Sequence, residues 1–419
     1  MNLQHIQTFE KSFTCPVQWH RFDNGPDVIV AERPSNFVVV QVTVPVGALC
    51  DLVPGTAHAL EHAKMKGQMN EDGVHPRLLE LSFEGVDGNA GTSHEFTEFY
   101  LSGPVLHCRR MLEVVASIVF ESHFESSQVI RERGSIEQEY AETERDHRFD
   151  RWRMARFISG SGFEKSIIGT PDSIRRVDVP CLSAFDEKWY GWNRASVIVA
   201  GGVEASAVHG MLPEIIEQFP KSSDQPRLAF EVADAHLGRY EYIGDDISTP
   251  GIEVNFPNAG PHTRDGFILG IIAEILDFPR IGLLPNELRG KRRMVYDVGV
   301  SHVSFPHRVF SVQAQLDPSK FEDYTNIVHD CVAKIANDAY PDQLLYAIFR
   351  HRQILRLRQS ESSDHGSCVD SLRDDWLHDD RDDQDYLEWF EKTSREDISR
   401  VAKKYFQNVK WGTIIRLPK

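Results

Sequence analysis

The stretch Leu182-Ser-Ala-Phe-Asp-Glu-Lys-Trp-Tyr190, followed by Ser196-Val-Ile-Val-Ala200, reads as a helical stretch running into a β-rich segment. The same succession returns 216 residues later as Ile398-Ser-Arg-Val-Ala-Lys-Lys-Tyr-Phe406 and Gly412-Thr-Ile-Ile415. Two upstream pairs keep the same order. Val42-Thr-Val-Pro45 matches Val254-Asn-Phe-Pro257 at an offset of 212, and Asn89-Ala-Gly-Thr-Ser-His94 matches Asp297-Val-Gly-Val-Ser-His302 at 208. Ordered matches at nearly constant offset identify an internal duplication, the first thing to settle in a long chain.

With 419 residues the chain exceeds what one hydrophobic core usually organises, so two domains are expected on length as well. The polar run Lys221-Ser-Ser-Asp-Gln-Pro-Arg227 has linker composition, which places one domain at 1–220, a linker at 221–228 and the second domain at 229–419. Within the first half, Val28-Ile-Val-Ala31 and Phe37-Val-Val-Val-Gln-Val-Thr-Val44 are β-branched strand signals. Met111, Leu112, Val115, Ile118 and Val119 recur at helical spacing. The fold class is therefore α+β: two similar halves, each a sheet covered by helices.

Composition narrows the function. A formal charge of -17 argues against nonspecific nucleic-acid binding, which needs a cationic face. No stretch approaches the ~18 apolar residues of a membrane span, and Met1 to Cys15 carry no signal-like apolar run, so no membrane is expected and a cytoplasmic location is. The six cysteines are far apart, with no Cys-x-x-Cys pair, and read as reduced thiols.

The chemistry lies in Thr56-Ala-His58-Ala-Leu-Glu61-His62-Ala-Lys-Met-Lys-Gly67. Strong helix formers fill 57–66, with Gly67 as a stop. On a helix, His58 and His62 lie one turn apart and converge on one ion, while Glu61 stands beside them. His-x-x-Glu-His is the inverted zinc-peptidase signature. Such a zinc keeps an open position for water, and a nearby carboxylate serves as general base. A third ligand is needed. The helical segment from Ser127 to Glu142 supplies it, since Glu132 and Glu139, seven apart, share one face while Glu137 and Glu142 project elsewhere.

These residues resemble the family of pitrilysin, insulysin and the mitochondrial processing peptidase. In that family a glutamate ligand follows the second histidine by 77 positions, which here is Glu139. The resemblance thus implies one zinc per chain held by His58, His62 and Glu139, with Glu61 as base and Glu132 assisting catalysis. Gly88-Asn89-Ala90-Gly-Thr92-Ser93-His-Glu-Phe-Thr-Glu-Phe-Tyr100 is similar to the family's substrate-pairing edge strand, which implies substrate contacts at Asn89, Ala90, Thr92 and Ser93. Leu288-Arg289-Gly-Lys-Arg-Arg-Met-Val-Tyr296 resembles the segment whose Arg and Tyr hold the substrate carbonyl, although Gly290 replaces a Glu and Arg293 a Gly. Arg289 and Tyr296 take those places.

The second half reads Phe267-Ile-Leu-Gly-Ile-Ile-Ala-Glu-Ile-Leu276 at the aligned position, with no histidine. One duplicate keeps the metal and the other forms a wall. By resemblance each half carries a mostly antiparallel sheet, the two halves make half of a clamshell chamber, and the chain acts as a zinc endopeptidase on unfolded peptides, leaders or presequences. The partner implied is an identical or a related chain. The rival reading is a noncatalytic peptide-binding subunit of a heterodimeric processing peptidase.

Overall fold

The computed structural model describes residues 17–419 except 23–24, 67–74, 220, 223–232, 261–262, 304–305, 362–364, 379–388 and 390–391. Most of the expected linker, the expected helix stop at Gly67 and the first fifteen residues lie outside the described residues.

Six strands make the first sheet: β1 (Val17–Arg21), β2 (Asp27–Glu32), β3 (Phe37–Val44), β4 (Asp87–Thr92), β5 (Thr97–Pro104) and β6 (Ser196–Gly201). Their order is β1-β2-β6-β3-β5-β4. After β7 (Ala233–Asp234), the second sheet uses β8 (Arg239–Gly244), β9 (Gly251–Pro257), β10 (Val298–Val303), β11 (His307–Gln315) and β12 (Gly412–Pro418), ordered β10-β11-β9-β12-β8. Read from the other end, that is β8-β12-β9-β11-β10, the same path as β2-β6-β3-β5-β4. The equivalent pairs β2–β6 and β8–β12 are both parallel, and the remaining neighbours along both paths are antiparallel. The duplication seen in sequence is a duplication of topology, in an α+β fold whose sheets stay open.

In the first half the helices are α1 (Thr56–Lys66), α2 (Pro76–Ser82), α3 (Cys108–Phe120), α4 (Ser126–Phe157), α5 (Pro171–Ile174), α6 (Val179–Trp189) and α7 (Ala205–Ile216). In the second they are α8 (Arg264–Asp277), α9 (Phe321–Ala336), α10 (Asp342–Glu361), α11 (His365–Leu377) and α12 (Arg395–Phe406). Each half has its own core. Val28, Val30, Val38, Val40 and Val42 face Met111, Leu112 and Val115 of α3, and Ile252, Val254 and Phe256 face the Ile-rich stripe of α8. Burial of this apolar surface, worth roughly 25 cal/mol per Å², is the main stabilising term in each half.

Strands alternate their side chains, so a sheet buried on one face should alternate in polarity; β2 and β3 do not. The reason is α11. This helix belongs by sequence to the second half, yet Val369, Leu372 and Trp376 pack on Ile29, Ala31, Val39, Ile198 and Ala200, the opposite face of the first sheet. Trp376 Nε1 donates to Asp27 Oδ2 at 2.8 Å. Both faces are covered, hence the unbroken apolar run.

The 32-residue helix α4 joins the halves a second time. Its C-terminal Phe149 and Phe157 pack with Leu237, Tyr242, Val309 and Ile414 of the second half. There Glu253, fully buried on β9, sits between Arg153 Nη1 at 3.7 Å and Arg416 Nε at 4.0 Å. Burial pushes the Glu253 carboxyl up despite these cations. The helix that carries acidic residues at one end is thus anchored on the other sheet.

Candidate metal centre

Helix α1 is buried almost all round, which is why its first turns are Ala57, Ala59, Leu60 and Ala63 rather than larger residues. Its N-terminus is closed from outside the helix: Asp51 accepts from the backbone N–H of Gly55 at 2.7 Å and of Ala57 at 2.9 Å. An acid at a helix start offsets the dipole and the unpaired N–H groups, although burial still raises the Asp51 carboxyl to about 7. Gly55 has φ of 91°, and a Cβ there would meet the Ile168 carbonyl at 2.4 Å, so glycine is required for α1 to begin against the 163–168 segment.

Lys64, fully buried, fixes the other end. Its ammonium pairs with Asp186 Oδ1 of α6 at 2.7 Å, reaches the Glu121 carbonyl at 3.3 Å and lies 4.9 Å from the Tyr190 ring centre.

Held this way, α1 presents His58 and His62 with ring centroids 4.7 Å apart. Glu139 of α4 reaches both: His58 Nε2 to Oε1 is 3.5 Å and His62 Nε2 to Oε2 is 3.3 Å. One ligand atom from each of the three residues lies within 4.8 Å of the others. A tetrahedral zinc with bonds of about 2.0–2.1 Å sets its ligand atoms about 3.3–3.4 Å apart, so the donor set has the chemistry for the ion, the two His–Glu139 distances are close to that spacing, and a small inward shift of the side chains would complete it.

Glu132, two turns before Glu139, stands behind His62. Its Oε2 is 3.4 Å from His62 Nδ1 and 2.9 Å from Lys66 Nζ. Burial would lower the His62 imidazole, but the Glu132 hydrogen bond and the charges of Glu61 and Glu139 outweigh it and hold it above the ordinary value. Burial likewise works against the Glu132 carboxylate, and His62 and Lys66 prevail to keep it below the usual range. The His58 hydrogen bond does the same for Glu139. Glu137 and Glu142 turn away, to Arg175 and Gln138.

Glu61, 8 % exposed, borders the same cavity of about 630 Å³. The hydroxyl of Thr92, at the end of edge strand β4, donates to Glu61 Oε2 at 3.0 Å. Asn89 and Ala90 also line this cavity, but Ser93 does not: its Oγ accepts from the backbone N–H of Glu95 and Phe96 in the turn to β5. Arg289 and Tyr296 are not brought to it either. They are exposed, Arg289 in the π-helical turn Pro285–Lys291 and Tyr296 after it, with the guanidinium 5.3 Å from the Tyr296 ring centre. Sequence reasoning missed the far wall, formed by His147, Asp150 and Met154 of α4 with Phe163 and Lys165. Continuing the Glu139 stripe along α4 at helical spacing would have found the first three.

Among the described residues the second half has no such group of ligands. On α8, Gly270 lies 208 residues after His62, and a Cβ there would meet His302 Nε2 at 3.2 Å and Arg352 Nη2 at 3.4 Å. Arg352 pairs with Glu274 of α8 at 2.6 Å. A guanidinium joins α8 to α10 where the first half gathers His58, His62 and Glu139 between α1 and α4.

Fold and donor set together define a class: a duplicated α+β protein that, among the described residues, gathers one group of potential metal ligands, His58, His62 and Glu139, in its first half. The chain belongs to peptidase family M16. The family model for the insulinase group, peptidase family M16, matches residues 27–170, and the model described as the M16 inactive domain matches residues 177–350. The chain is similar to mitochondrial-processing peptidase subunit beta of Lentinula edodes, 25% identical over 262 residues, covering 60% of this chain and 56% of that protein. It thus spans little more than half of that relative. A zinc protease of Streptomyces coelicolor with no assigned role is 24% identical over 361 residues, covering 83% of this chain and 75% of the other. Among solved structures, a protease from Helicobacter pylori superposes with a TM-score of 0.79 at 18% identity, covering 96% of this chain and all of that one.

Proposed function

We propose that this chain is a zinc endopeptidase acting on unfolded peptide segments, with one zinc held by His58, His62 and Glu139. The observation that carries the reading is the spacing of those donors, with Glu61 beside them on the same cavity. When bound, zinc would lower the pKa of a water towards neutrality and polarise the peptide carbonyl. Glu61 takes the proton at its carboxylate and returns it to the leaving amine. Glu132 orients the His62 ring through Nδ1. Edge strand β4 offers backbone groups to an extended peptide, which gives affinity with little sequence selectivity. Arg289 and Tyr296 serve a closed form or the site of a partner chain, and the assembly is a dimer with an identical or a related chain.

The noncatalytic reading draws on the inactive-domain match, but that match spans 177–350, which contains none of His58, Glu61, His62 or Glu139. Metal analysis combined with cleavage of a mixed peptide library tests the choice. One zinc per chain, cleavage abolished by chelation, and Glu61→Gln retaining zinc while losing turnover support the peptidase. Zinc-replete protein that cleaves no peptide in the library favours the noncatalytic subunit.

A further inference from the structure

Resting on that reading, we infer that Thr92 is the positioning residue of the general base, setting the Glu61 carboxylate through its hydroxyl rather than contacting substrate with its side chain. A threonine hydroxyl carries one donor proton. Here it goes to Glu61 Oε2 at 3.0 Å, across a sequence separation of 31 residues. No other hydrogen bond to the Glu61 carboxylate is made among the described residues, so this one fixes the oxygen Oε2 and leaves Oε1 without a hydrogen-bond partner.

The choice of residue fits the task. Threonine is β-branched and stiff at χ1, so its hydroxyl direction follows from the strand backbone, whereas glutamate has three rotatable bonds. Thr92 ends β4, which among the described residues is an edge strand of the first sheet, and it is paired with Thr97 of β5. The strand that would receive an extended peptide therefore also sets the base. Substrate register and base position share one backbone, and preorganisation of this kind lowers the barrier of the chemical step without adding ground-state affinity.

The test compares Thr92→Val, isosteric but without the donor, with Thr92→Ser, which keeps it, using steady-state cleavage of a library-derived peptide. Removing a hydrogen bond to a charged group is expected to lower kcat roughly 10- to 100-fold with KM unchanged, and Thr92→Ser should stay within a few-fold of the parent. A second readout uses chelated protein: the affinity of a fluorescent peptide, by anisotropy, should be the same for the parent and Thr92→Val. Weaker peptide binding or a raised KM with kcat intact makes Thr92 a substrate contact and overturns the inference, as does an unchanged kcat. Should Thr92→Val fail to fold or lose zinc, Thr92→Ala set against Thr92→Ser gives the same comparison. Parent protein with no chelator-sensitive cleavage sinks the peptidase reading itself, whereas an active parent matched by Thr92→Val sinks only the role of Thr92.

Discussion

Glu132 Oε2 lies 3.4 Å from His62 Nδ1, on the ring nitrogen opposite the one that faces Glu139. The two acids of α4 therefore grip one imidazole from both nitrogens. An outer carboxylate of this kind fixes the tautomer and raises the basicity of the ligating nitrogen, and its loss typically costs 10- to 100-fold in metal affinity. Glu132→Gln should weaken zinc binding by roughly that factor, while Glu139→Gln should abolish stoichiometric zinc. Competition with a chromophoric chelator measures both, and equal affinities for the parent and Glu132→Gln would remove that role.

Lys64 and Asp186 form a buried ion pair that ties the histidine helix to α6. Taking away one member leaves a charge without compensation. Lys64→Met should cost about 3–5 kcal/mol in denaturant unfolding, and the double change Lys64→Met with Asp186→Leu should recover much of it. A double variant as unstable as the single one would show that packing, not charge, dominates there.

Trp376 reaches out of the second half to cover the first sheet, with 2 % of its surface exposed and its indole donating to Asp27. Trp376→Ala should destabilise by about 3–5 kcal/mol. Because the cavity it leaves lies against Ile29 and Ile198, hydrogen exchange should rise first in β2 and β6, strands of the other half.

His307, packed on Phe157 at 5.2 Å between centroids, is buried at the junction of α4 with the second sheet. Burial and then the Arg153 charge push its imidazole down from 6.5 to about 4. A depressed folded pKa means that the unfolded chain takes up the proton first. The contribution is whole above pH 6.5 and is lost as pH falls from there to about 4. Parent protein should therefore lose more thermal stability between pH 7.5 and pH 5 than His307→Leu does; identical slopes would rule out this residue as the source.

Much of this was legible in the chain. His58, Glu61 and His62 are readable because helical spacing alone brings them together, and Glu132 and Glu139 because seven residues return a helix to the same face. The duplication is readable because equivalent strands keep their order. What the sequence hid depends on contacts between distant segments. The Thr92–Glu61 hydrogen bond requires knowing how the end of β4 meets α1. The unbroken apolar runs of β2 and β3 mark a sheet covered on both faces, but nothing local says that α11 is the cover, since an amphipathic helix does not name the surface that it packs on. Arg289 and Tyr296 follow a family pattern, yet here they stack on one another in the open, away from His58.

The Arg352–Glu274 pair gives the duplication an unequal dependence on its surroundings. A cation on a side chain is covalently tethered: it neither exchanges nor answers to a chelator, and it is always supplied one per chain. An ion held by His58, His62 and Glu139 is borrowed from solution. On the proposed function, metal starvation would loosen the grip between α1 and α4 and leave that between α8 and α10 untouched, so that one copy of the fold would stand on its own chemistry while its twin would depend on what the medium provides.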